Sequence, residues 1–65
     1  MSYFLITFAI RDAVMPLPHT VVVKVSSVAH WLWERADAGK PPVTVLWSEE
    51  VHEAIYIRLN KIYTE

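Results

Sequence analysis

Three histidines, His19, His30 and His52, and the three glutamates nearest to His52, Glu49, Glu50 and Glu53, are residues of this 65-residue chain whose types could hold a metal or move a proton. Around His52 the spacing invites a test. If this stretch is helical, Glu49 and Glu53 lie four apart and can share one face. A metal centre needs three or more converging ligands, themselves oriented by further hydrogen bonds. His19 follows a proline-containing loop and His30 falls on the polar side of a helix, so nothing brings either to His52. The cluster reads as a solvated acidic turn, and no metal site and no cofactor are expected. Nucleophilic chemistry has less support still. There is no cysteine, and Ser26, Ser27 and Ser48 stand where caps and turns need a hydroxyl. A single glycine cannot build a phosphate-cradling loop. The residues predict a protein that is not an enzyme.

Two other groups could make contacts rather than do chemistry. Tyr56, Arg58 and Lys61 would share or neighbour one outer face, and exposed aromatics beside cations can stack on bases. The formal charge is −1 and the six basic residues are scattered from Arg11 to Lys61, which gives no general attraction to nucleic acid or anionic membrane. A nucleic-acid-binding regulator is therefore the alternative reading. The sharper feature is Trp31 with Trp33. Tryptophan is bulky and often mostly buried, and it is also enriched among residues that dominate binding energy.

Those two indoles sit on the one segment that carries a start, a period and a stop. Ser27 can cap a helix by accepting from the free N–H groups of the first turn, while His30 three positions on gives no capping box. Gly39 falls where the helix should end, in the left-handed conformation glycine adopts without steric cost. Pro41 and Pro42 forbid continuation. At about 100° per residue Val28, Leu32 and Ala36 align, with Ala29 on one shoulder, as the expected core face. Trp31 and Trp33 then lie on opposite flanks, which favours one indole in the core and one at an interface. A helix of about a dozen residues is marginal alone and must lie on a sheet.

The strands that could form that sheet alternate. Over residues 2–11, Phe4, Ile6, Phe8 and Ile10 form the core side, and Tyr3, Leu5, Thr7, Ala9 and Arg11 the other. Tyr3 and Leu5 make the second side less polar than a solvated face, which hints that it is covered. Residues 12–19 hold Pro16 and Pro18, a connecting loop whose apolar residues could fold over the sheet end. Residues 20–25 are the strongest strand by propensity, with Val21, Val23 and Val25 towards the helix. Residues 42–47 resume a strand with Val43, Val45 and Trp47 on one face, Trp47 being expected under the helix. Residues 54–63 admit two readings. A helix capped by Ser48 would align Val51, Ile55, Leu59 and Ile62 behind an acidic first turn. A strand would place Ile55, Ile57 and Leu59 inside, with residues 48–53 as its hairpin loop. The β-forming run Ile-Tyr-Ile favours the strand.

The sequence thus predicts a single α+β domain over residues 1–65, with four mostly antiparallel strands and one helix on one face in the order ββαββ, and ββαβα as the alternative. Its size and pattern resemble only the broad group of very small α/β accessory proteins common in phages and mobile elements. A chain of this length buries only about 60% of its unfolded surface, yet 54% of its residues are hydrophobic, including three Trp, three Tyr and two Phe. The surplus implies association. The expected function is a non-catalytic interaction module, a small homodimeric accessory or inhibitor protein that binds a larger protein, with Trp31, Trp33, Tyr3, Leu5, Tyr56 and Arg58 as interface candidates. Residues 1–10 are apolar but span about half of a bilayer and lack a basic flank. No membrane association and a cytoplasmic location are expected.

Overall fold

The first strand, β1 (Ser2–Ile10), is the centre of the sheet. The computed structural model describes residues 2–11, 14–15 and 17–63. It adds β2 (His19–Val25), α1 (Val28–Asp37), β3 (Val43–Val51) and α2 (Glu53–Leu59), so the order is ββαβα. Both β2 and β3 pair with β1 antiparallel, giving the order β2-β1-β3. The class is α+β, as the alternation and single capped helix predict. Three strands replace the expected four, and a second helix stands where the last strand was expected.

One face of the sheet holds the core. Ile6 and Phe8 of β1, Val21 and Val25 of β2, Val43 of β3 and Trp31 of α1 are buried together, with Phe4, Ile10, Val23, Val28 and Val45 packed around them. The even-numbered side of β1 is thus inward, as its alternation requires. The helix α1 has the expected ends. The Ser27 hydroxyl accepts from the His30 N–H at 3.1 Å, and Gly39 takes φ 75°.

Its inward face is not the expected one. Trp31 and Arg35 are buried and Val28 packs on the core, while Leu32 and Ala36 are exposed. Positions 28, 31 and 35 are as good a helical stripe as 28, 32 and 36. The choice between them goes to the larger apolar surface, since an indole buries about 150–250 Å². The Trp31 ring sits 5.3 Å from Phe8, and the Arg35 guanidinium lies over both rings at 5.0 and 5.3 Å. Cation–π contact and the apolar stem let an arginine occupy this stripe. Burial pushes its pKa below the usual arginine value.

Trp47 also departs from expectation. In β3 it is opposite Thr7, whereas the next pair is Phe8 with Val45, so Leu46 is an extra residue in a β-bulge. The bulge shifts the alternation by one. Val43 and Val45 stay on the core side and Trp47 is carried to the second face, away from α1.

The strand β3 runs through residues 48–51, which were expected in a hairpin loop, and Val51 ends opposite Tyr3. Only His52 then separates β3 from α2. One residue cannot turn a hairpin, and 48–53 offers neither glycine nor asparagine for a tight turn. His52 supplies the helix start instead, its Nδ1 accepting from the Ala54 N–H at 3.2 Å. Glu53 and Arg58 then lie at the helix ends that favour their charges. The β-propensity of Ile-Tyr-Ile yields to this geometry. Nor is the expected 51/55/59/62 stripe inward, since Tyr56 and Leu59 are half-buried while Ile55 is exposed.

Candidate functional site

The second face of the sheet, opposite α1, carries Tyr3, Leu5 and Thr7 of β1 with their register partners Lys24, Val22 and Thr20 of β2. The hint that it is covered is met within the chain. The Tyr56 ring of α2 lies 4.6 Å from that of Tyr3, with the Lys24 ammonium 5.8 Å from the Tyr3 ring centre. Val22 is buried, and on the edge of β2 away from β1 its N–H donates to the Tyr63 carbonyl at 3.3 Å. The Thr7 and Thr20 hydroxyls are 3.2 Å apart.

Three of the interface candidates therefore already have neighbours. Tyr3 and Tyr56 pack against each other with their ring planes tilted by 42°, and Leu5 is half-buried on the same face. Trp31 is core, so of the tryptophan pair Trp33 alone, 63% exposed, stands where another molecule can reach it. The nearby His30 ring is 5.8 Å from it, and His30 Nε2 lies 2.9 Å from Glu34 Oε1. Arg58 is exposed on α2. The grouping of Tyr56, Arg58 and Lys61 on one outer strand face does not form, because Tyr56 turns to Tyr3. Of the loop expected to fold over the sheet end, residues 12, 13 and 16 lie outside the described residues, and Val14, Met15 and Leu17 are well exposed.

The surface feature the sequence pattern missed is on β3. Leu46 and Trp47 are about half exposed, and among the described residues no strand lies along the outer edge of β3. Ile55 and Ile57 of α2 are about half exposed as well. A bulge without glycine leaves no mark in a single sequence, so only the presence of a tryptophan in a strand with two edges to fill could have pointed there. The total accessible surface is 4622 Å², against about 4,200 Å² for a compact monomer of this mass. An unpaired strand edge with large apolar side chains is a template for a further strand.

Chemistry finds less. No three His, Asp or Glu side chains gather among the described residues. His19 instead stacks 5.6 Å from Phe8, and His52 caps α2. No helix among the described residues is long and apolar enough to cross a membrane. No protein-family model, no curated protein and no solved structure matches this chain.

Proposed function

We propose that the protein is a non-catalytic interaction module that works as a homodimer, joined along β3, and in the cytoplasm binds and blocks or assists a larger protein. The observation that carries this reading is the pair Leu46 and Trp47, half exposed on an edge strand along whose outer side no strand lies among the described residues. Antiparallel pairing of β3 with its copy about a two-fold axis would join two three-stranded sheets into one of six strands, an isologous contact that closes on itself. Centred on Trp47, it brings the two indoles together and sets Glu49 opposite Val45 of the second copy. The carboxylates then avoid facing each other, which matters because like charges directly opposite destabilise a strand pair.

The dimer leaves Trp33 outward on α1, where an exposed indole suits it as the anchor for the larger partner. The test is sedimentation of the wild-type chain beside a Trp47→Lys variant. Trp47 is half exposed on β3, and a lysine placed opposite its own copy obstructs strand addition. A concentration-dependent dimer that the lysine abolishes, with a cooperative melting transition retained, supports the reading. An equally dimeric variant removes the β3 interface, and a monomeric wild type removes the dimer.

A further inference from the structure

The two outer edges of the sheet are treated differently. Along β3 the edge carries Leu46 and Trp47, and among the described residues no strand lies beside it. The outer edge of β2 is guarded by a later segment of the same chain. Val22 turns its N–H away from β1 and donates it to the Tyr63 carbonyl at 3.3 Å. Thr20 and Lys24, two residues to either side, present their backbone groups along the same edge. Lys24 is exposed there, and a lysine on an edge strand discourages strand addition.

The path of α2 brings Tyr63 to that place. The helix begins directly after His52 at the end of β3 and crosses the second face over β1, where Tyr56 meets Tyr3 at 4.6 Å. It ends against β2. The Asn60 N–H then donates to the Tyr56 carbonyl at 2.8 Å, and the Ile62 and Tyr63 N–H groups to that of Leu59 at 2.9 and 2.8 Å. Side-chain packing holds this segment lightly, since Ile62 is 71% and Tyr63 37% exposed. A contact with so little buried apolar surface belongs to the part of a fold that opens most readily.

We infer that residues 60–63 are a stopper on the β2 edge that halts assembly at two chains, a role that presupposes the β3 dimer, and that displacing them lets the β2 edges of successive dimers pair. Pairing through β3 alone is isologous and closes on itself. With β2 uncovered, each six-stranded sheet would end on both sides in a free β2 edge, and a second copy presents the same edge in return. Contacts through β3 and through β2 would then alternate without closing. The product is a growing sheet in place of a dimer.

The test uses the full chain carrying Tyr63→Pro. Proline removes the N–H that bonds Leu59 and biases Ile62 towards an extended backbone, which turns the segment away from β2. Wild-type mass should stop at two chains, and its Val22 amide should exchange with deuterium about fivefold or more slower than in the variant, as one backbone hydrogen bond implies. The variant should melt cooperatively and sediment as species larger than two chains that grow with concentration. Adding Trp47→Lys should return it to two chains, now joined through β2. A monomeric wild type removes the β3 dimer alone, and both variants should then form pairs through β2. Growth of the wild type beyond two chains would overturn the inference. So would an unchanged Val22 exchange rate, faster exchange with unchanged mass, or a double variant as large as the single one.

Discussion

Replacing Trp31 and Leu32 in turn by alanine separates the two possible inward faces of α1. Trp31 is 3% exposed and packs on Phe8, with Arg35 across its ring. Truncating a buried Trp costs about 3–5 kcal/mol, through lost transfer energy and a new cavity. The aromatic contact adds roughly 0.5–1.5 kcal/mol beyond buried area. A chain of this length has a total stability of about 3–10 kcal/mol. Trp31→Ala should therefore leave the protein largely unfolded or close to it. Leu32 is 36% exposed and already borders an open pocket, so its truncation makes no enclosed cavity. Scaling the roughly 1.5–3 kcal/mol of a fully buried side chain by that exposure leaves about 1–2 kcal/mol. Urea unfolding followed by far-ultraviolet circular dichroism, at two protein concentrations to separate folding from association, reads both. A larger loss from Leu32→Ala than from Trp31→Ala would restore the 28/32/36 face and refute the rotation.

Other substitutions give smaller and more local expectations. Ser27→Ala removes the cap of α1 and should cost about 1 kcal/mol in thermal or urea unfolding. Gly39→Ala meets nothing within 4 Å of the new Cβ, so its cost should be that of the φ of 75° alone, about 1–2 kcal/mol. Trp33→Ala should leave stability within about 0.5 kcal/mol while weakening capture of the larger partner from a lysate. Trp47→Lys should raise the dimer dissociation constant by about 30-fold or more if the indole is a central contact. Half of the indole is buried within the monomer, so the dilute monomer should lose about 1–2 kcal/mol but still unfold cooperatively.

Part of this architecture was legible in the residues and part was not. The even-numbered side of β1 and the odd valines of β2 follow from period two, and Ser27 and Gly39 set both ends of α1. Its face was not legible because Val28 begins two equally helical stripes, and choosing between them requires knowing that Phe8 lies opposite Trp31. An arginine inward hides the choice further. Trp47 was misplaced because a single extra residue at Leu46 reverses the alternation, and nothing in Val-Leu-Trp announces it. Within residues 53–59 only the run Ile55-Tyr56-Ile57 favours a strand. The segment becomes α2 because β3 extends to Val51 and leaves only His52 to make the connection. The tertiary constraint overrides propensity there. Of the surface, one outward indole of the Trp31/Trp33 pair was anticipated, though not which, while the apolar edge of β3 depends on the fold.

Apolar surface left over by so small a fold is the root of the functional reading, and sedimentation equilibrium of the wild-type chain across a hundredfold concentration range tests it most directly. The mass should rise from that of one 7.5 kDa chain to that of two as concentration increases. A single-chain mass at every concentration would contradict the account.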